Sequence, residues 1–170
     1  MKRQESLATK ELANLIEFVT ERWTLGSTHG INHWKRVAEN GVRLLTLDVD
    51  PIVVQYFAYL HDSCREDDGY DRMHGERAAE WINTLRDTYL QYLTDQQIHQ
   101  LQEACRLHTV EHRTGDPTID ACFDADRLDL WRVGIKPDPD QMATEIGADL
   151  ARALTYEKMT DLILELEGKR

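Results

Sequence analysis

Several histidines and aspartates occupy helical positions where an apolar side chain would normally stand. His61 and Asp62 directly follow the apolar segment FAYL. His33 lies one predicted helical turn before Val37, and Asp126 continues an apolar stripe. A buried carboxylate is costly unless it is paired or bound to a cation. Imidazole and carboxylate ligands without thiolates suit Mn, Fe, Co, Ni or Mg better than a closed structural zinc site.

Two further histidines have the same kind of position. His74 shares a predicted helical face with Ala78, and His108 continues the stripe that contains Leu101. A single histidine on an apolar face is more often a hydrogen-bonded core residue than a ligand, but four such histidines favour a shared cation. The competing interpretation is an Asp–His hydrogen bond in the core, or a salt bridge from Asp126 to a distant arginine.

Three other histidines stand apart from these stripes. His29 precedes Gly30 in a predicted loop and could assist at the mouth of a site, although it is not expected to be a ligand. His99 lies beside its stripe, which favours an exposed position. His112 could line the site or face water.

The elements that must position these residues are predicted to be helices. The hydrophobic period is helical throughout, without an alternating strand pattern, and predicts an all-α fold with a single domain over residues 1–170. Asp50 as N-cap and Pro51 in the first turn predict a helix that continues to Asp62, with a buried strand as the alternative. A last helix is expected from about Ala148 to Glu167.

Composition narrows the classes of partner. The formal net charge of −11 argues against binding to nucleic acid backbones or anionic membranes, but not against a small anionic substrate. No apolar segment reaches the length of a membrane-spanning helix, and the N-terminus lacks an apolar signal core. The three cysteines fit no zinc motif, which predicts reduced thiols and a cytoplasmic protein. Two of them, Cys105 and Cys122, are expected to be packing residues.

The order of His33, the pair His61-Asp62 and then Asp126 resembles the H…HD…D signature of the HD-domain metal-dependent phosphohydrolases. The segments HGINHW, LHDSCRED, HGERAA and DADRLDL follow the family order, and the resemblance covers roughly residues 27–138. It implies an HD-type helical bundle in which these four residues bind the metal. Asp126 is preferred to Asp124, which falls on a different helical face.

The resemblance leaves the number of metal ions open. Members with two metals have further histidines between the HD pair and the last aspartate. His74 and His108 match that order, with Asp62 as the bridging carboxylate. In members with one metal, a histidine near the position of His74 instead contacts the substrate phosphate or donates a proton.

The implied activity is hydrolysis of a phosphate ester or anhydride in a small molecule, with a nucleotide as the favoured class. Asp62 would accept the water proton, and His74 or His108 would bind the second metal or act as general acid. Several cations near the motifs are candidates for binding the substrate phosphate, with a solvated surface charge as the alternative for each: Arg65, Arg72, Arg77, Arg127, Arg132 and Lys136. Arg65, just past the HD pair, is the best single candidate.

Two other functions are kept as alternatives. Some HD proteins with the six-residue pattern use a di-iron centre for oxygenation. The chain could also be a non-catalytic, metal-stabilised ligand-binding protein. A homodimer is left open.

Overall fold

The computed structural model describes residues 2–154, and these form helices and connecting loops without a strand. The all-α prediction is therefore confirmed. The seven α-helices are α1 (Lys2–Arg22), α2 (Ile31–Arg43), α3 (Pro51–Leu60), α4 (His74–Leu85), α5 (Asp95–Leu107), α6 (Pro117–Arg127) and α7 (Glu145–Ala153), with short 3₁₀ turns at Leu130–Val133 and Pro139–Gln141.

Helix α3 begins as its sequence predicts. One oxygen of Asp50 accepts hydrogen bonds from the backbone N–H groups of Ile52 and Val53, at 2.8 and 3.4 Å, and Pro51 opens the first turn. These bonds satisfy donors that have no partner inside the helix. The cap and the proline fix the start of α3. The helix has ten residues and ends at Leu60, and His61 follows directly.

Helix α3 is the centre of the molecule. It contacts α1, α2, α5 and α6, and Val53, Val54, Phe57 and Leu60 on it are completely buried. A helix that is apolar on nearly all sides is stable only when neighbours cover all of them. The apolar segment is therefore a central helix, and the alternative of a strand is wrong.

Two helix boundaries differ from the sequence prediction. The helical pattern of residues 118–134 predicts one continuous helix, but α6 ends at Arg127 and the chain tightens into the 3₁₀ turn Leu130–Val133, which closes at Gly134 with a left-handed φ of 80°. Helix α7 begins at Glu145 rather than near Ala148, because Thr144 caps it through the N–H of Gly147. The expected end of this last helix at Glu167 lies outside the described residues.

The described part of the chain also bears on two simpler expectations. None of its helices is long and apolar enough to cross a membrane. The three cysteines have free thiols, and Cys105 and Cys122 are completely buried. Both therefore serve as packing residues, as expected.

Candidate metal centre

Four of the predicted ligands meet in the core. Nε2 of His33, on α2, lies 3.1 Å from Nε2 of His61, just after α3. Oδ2 of Asp62 is 3.4 Å from the first of these nitrogens and 3.5 Å from the second. Oδ1 of Asp126, from α6, is 3.4 and 3.8 Å from the same two atoms. These four atoms form the first group of the centre.

Most distances within the first group, from 3.1 to 3.5 Å, are close to the edges of a coordination polyhedron, and the distance of 3.8 Å between His61 and Asp126 is longer. Ligand atoms held at about 2.1 Å from one cation lie about 3.0 Å apart in an octahedron and about 3.4 Å apart in a tetrahedron. The side chains of His33 and His61 are completely buried, whereas that of Asp126 is 17% exposed. Water can therefore reach this group on the side of Asp126.

A second group adjoins the first. Nε2 of His74, at the start of α4, lies 3.1 Å from Oδ1 of Asp62 and 2.9 Å from Nε2 of His108, at the end of α5. Asp62 thus turns one carboxylate oxygen to each group. His61, Asp62 and His108 also have ligand atoms within 4.8 Å of one another, as do His33, His61 and Asp126.

The Nδ1 atom of each of the four histidines makes a hydrogen bond on the side of the ring away from the centre. Backbone carbonyls of Phe57, Asp71 and Cys105 accept from three of the Nδ1 atoms, and a carboxylate accepts from the fourth. A carbonyl oxygen can only accept, so Nδ1 carries the hydrogen and a neutral ring presents its Nε2 lone pair to the centre. The four contacts join His61 to Phe57, His74 to Asp71, His108 to Cys105 and His33 to Asp129.

Lone pairs therefore face each other across both Nε2–Nε2 contacts unless a proton or a metal ion lies between them. Burial lowers the pKa of His61 to about 3, although Asp62 and Asp126 oppose this, and burial also lowers the pKa of His108. Burial disfavours the His33 cation too, but hydrogen bonds to carboxylates outweigh it and raise its pKa to about 10. Without metal, His33 is thus the ring of the first group that carries the extra proton.

Both carboxylates of the centre are ionised. Burial opposes the charge of Asp62, but His61, His33 and His74 hold its pKa well below the usual range. The pKa of Asp126 is also lowered, since His33 and His61 outweigh the effect of burial. Two ionised carboxylates and four inward-facing Nε2 atoms in an apolar core form a set that could hold a cation.

Asp129 is a site residue that the sequence prediction missed. Its carboxylate is completely buried. Oδ2 accepts from Nδ1 of His33 at 2.7 Å, and Oδ1 accepts from Nε of Arg36 at 2.7 Å. A carboxylate behind a ligating histidine fixes its tautomer and its ring orientation. The signal was present in the motif DADRLDL, because Asp129 stands three residues after Asp126.

A cavity of about 440 Å³ opens beside the second group. Arg65, Arg72 and His74 line it together with Tyr70. Nε of Arg65 donates to Oδ1 of Asp62 at 2.8 Å, and Nη1 donates to the carbonyl of Gly69 at 3.1 Å. Arg72 is exposed at this cavity. Arg65 is therefore tied to the centre through Nε and Nη1, whereas Arg72 makes no hydrogen bond within the described residues.

The other cations predicted to bind substrate lie away from this cavity. Arg77 donates to the carbonyl of Cys64 at 3.0 Å and pairs with Asp71, so it braces the loop after the HD pair. Arg127 donates to three backbone carbonyls, those of Glu111, His112 and Gln141. Lys136 is exposed in the loop between the two 3₁₀ turns, and Arg132 lines a different cavity.

The remaining predicted positions are also accounted for. His29 bonds through Nδ1 to Asp68 at 3.0 Å, and its ring centroid is 6.2 Å from that of His33, so it stands near the centre. His99 and His112 are exposed. Asp124 accepts from the N–H groups of Ala143 and Thr144 and from the Thr144 hydroxyl, and thereby anchors the start of α7.

Comparison of the chain with protein-family models, with curated proteins and with solved structures found no match. The resemblance to the HD-domain phosphohydrolases therefore rests on the sequence motifs and stays a prediction.

Proposed function

We propose that the protein is a metal-dependent phosphohydrolase that acts on a small phosphorylated molecule, with a nucleotide as the favoured class. The observation that carries the proposal is the convergence of four histidine Nε2 atoms on two ionised carboxylates. Asp62 offers a separate oxygen to each half of this set. That division supports two divalent ions bridged by Asp62 rather than one.

The residues present fit such ions. His33, His61, Asp62 and Asp126 would hold the first, and Asp62, His74 and His108 the second. Mn, Fe, Co, Ni and Mg accept up to six ligands of this nitrogen and oxygen type, so both groups leave positions for water and substrate. When bound, such ions polarise a phosphoryl oxygen and lower the pKa of coordinated water.

The surroundings of Asp62 favour the role of a bridge over that of a proton acceptor. Its Oδ1 already accepts from Arg65 and lies 3.1 Å from His74, while its Oδ2 lies within 3.5 Å of His33 and His61. Arg65 holds the carboxylate in this orientation. His74 and His108, whose Nε2 atoms face each other, suit the role of ligands better than that of a general acid.

The adjoining cavity supports a substrate of nucleotide size. Small-molecule sites commonly measure about 300–1,000 Å³, and this cavity of about 440 Å³ falls within that range. Arg72 would bind a phosphate group there, since a guanidinium matches phosphate oxygens in pairs. The ring of Tyr70, which is 90% exposed, offers a face on which a base could stack.

Metal analysis followed by activity assays tests the proposal. The protein is stripped with a chelator, reconstituted with each divalent ion in turn, and assayed for phosphate release from a panel of nucleotides. We expect release only with metal, and loss of both metal and activity in Asp62→Asn. Full turnover by the metal-free protein would overturn the proposal.

A di-iron oxygenase is a second candidate, favoured by the same bridged arrangement of four histidines and two carboxylates. Its test is an iron-loaded sample, compared before and after exposure to air. A mixed-valence signal with oxygen uptake supports the oxygenase, whereas a colourless, manganese-dependent phosphatase contradicts it. Nucleotide binding without turnover under any metal supports instead a non-catalytic binding protein.

A further inference from the structure

A second polar cavity lies behind the metal centre. It measures about 200 Å³ and is lined by Asn32, Arg36, Trp131 and Arg132, together with Ser27, Thr28 and Val133. None of the six proposed metal ligands lines it. Arg36 connects it to the centre, because this side chain donates to Asp129 and Asp129 accepts from His33.

Arg36 has donors left over for a ligand. Its Nε is bonded to Asp129 at 2.7 Å, and its guanidinium lies over the Trp131 ring at 5.3 Å from the centroid. Within residues 2–154, no protein acceptor is bonded to its two terminal nitrogens. The side chain is only 12% exposed, so the guanidinium is held in place. Stacking occupies one face of the group and leaves the N–H donors in its plane free.

Arg132 adds a second fixed cation. Its Nε donates to the carbonyl of Thr28 at 2.9 Å, and its Nη1 donates to the carbonyl of Asp129 at 3.2 Å. The side chain is 9% exposed. Nε of Arg132 also lies 3.8 Å from Oδ2 of Asp129, whose Oδ1 pairs with Arg36, so two guanidinium groups share this carboxylate. The cavity keeps a local positive charge although the whole chain carries −11.

The start of α2, where Asn32 lies, also favours a negatively charged ligand. Asn32 stands in the first turn of this helix, and the N-cap is Gly30, which has no side chain to accept from the first N–H groups. The positive end of a helix dipole favours an anion nearby. Two independent features therefore converge on this cavity: two held guanidinium groups and the amide side chain of Asn32.

We propose that this cavity binds a small oxyanion of the phosphate class, held by the terminal N–H groups of Arg36 and Arg132 and by the amide of Asn32. Guanidinium N–H pairs match the oxygens of phosphate. The cavity is smaller than the common range for organic ligands, about 300–1,000 Å³, and suits an ion rather than a whole nucleotide. The site is distinct from the metal centre and from the cavity at Arg72.

Calorimetric titration of metal-free protein with inorganic phosphate tests the proposal without any contribution from bound metal. We expect one phosphate per chain whose binding depends on Arg36 and Asn32. Asn32→Asp, which adds a negative charge at an exposed position, and Arg36→Gln, which removes charge-assisted hydrogen bonds, should each weaken binding about tenfold or more. Asn32→Asp also keeps the fold, because an aspartate in the first turn of a helix is favourable.

Two matched variants locate the effect. Asn83→Asp places the same charge at an exposed position on α4, and Arg72→Gln removes the cation at the other cavity. Asn83→Asp should bind phosphate as the unchanged protein does, and Arg72→Gln should keep the phosphate that is bound by Arg36 and Arg132. The proposal is overturned if metal-free protein binds no phosphate, if Arg72→Gln abolishes binding while Asn32→Asp retains it, or if Asn83→Asp weakens binding as much as Asn32→Asp.

Discussion

Nδ1 of His33 lies 2.7 Å from Oδ2 of Asp129, and both side chains are completely buried. The contact joins α2 to the turn after α6, 96 residues apart in the chain. It directs the other nitrogen of His33 toward His61 and the two carboxylates of the centre. The orientation of a proposed metal ligand is thus set by a residue that is not itself a ligand.

Asp129→Asn should therefore weaken metal binding while leaving every proposed ligand in place. Losing the carboxylate behind a ligating histidine typically costs about 10–100-fold in metal affinity. The measurement is a competition titration against a chromogenic chelator. Asp120→Asn is the control, because Asp120 is also buried but bonds to the turn at Thr114 and Gly115. An unchanged affinity in a folded Asp129→Asn protein would contradict the proposed role.

The number of ions is tested by removing one ligand of the second group. His108→Gln should lower the metal content from two ions per chain to one, because Asp62 and the first group remain intact. Asp62→Asn should reduce occupancy of both positions, since this residue faces both groups. Metal content is measured by elemental analysis after dialysis. His99→Gln, at an exposed position, is the matched control and should keep both ions. A single ion in the unchanged protein would contradict the bridged arrangement.

Metal binding should weaken as the pH falls. In the metal-free protein the pKa of His33 is raised to about 10, so near neutral pH a metal must displace a proton from its Nε2. We expect proton release on metal addition, detectable with an indicator in weak buffer, and tighter binding at pH 8 than at pH 6. An affinity that does not change over this interval would contradict the assignment of the proton to His33.

The same pKa makes a prediction for the stability of the metal-free protein. The folded-state value of His33 lies above the unfolded value of 6.5. Its contribution to the free energy of unfolding is therefore complete below about pH 6.5 and is lost as the pH rises through about 10. Thermal melts should show that the melting temperature of the metal-free protein falls over this interval. The increase in melting temperature on metal binding should grow over the same interval. His99→Gln should show the same trend.

Arginine substitutions should separate substrate binding from stability. Arg72→Gln should raise KM for the substrate and leave the melting temperature unchanged, because Arg72 is exposed at the cavity. Arg127→Gln should instead lower the melting temperature and leave KM unchanged. It removes a guanidinium that is bonded to three backbone carbonyls. Each lost hydrogen bond to a charged group lowers the free energy of unfolding by up to about 3 kcal/mol. Steady-state kinetics and thermal melts on both proteins measure this, and the reverse pattern would show that Arg127 binds the substrate.

The sequence determined the helices and the residues that face inward. The cap at Asp50 and the apolar period are local signals, and the structure contains both. The inward positions of His33 and His61 followed from the same period, because side chains three or four residues apart share a helical face. These features depend on residues within a single helix and not on contacts between helices.

Only the tertiary structure decided how these residues meet. The contact between Nε2 atoms of His74 and His108, and the division of Asp62 between two groups, depend on how separate helices pack. The partner of a long side chain is equally non-local, which is why Arg127 turns to backbone carbonyls while Arg72 reaches the cavity. Distances between helices come from the interlocking of the whole core, so no local pattern in the chain encodes them.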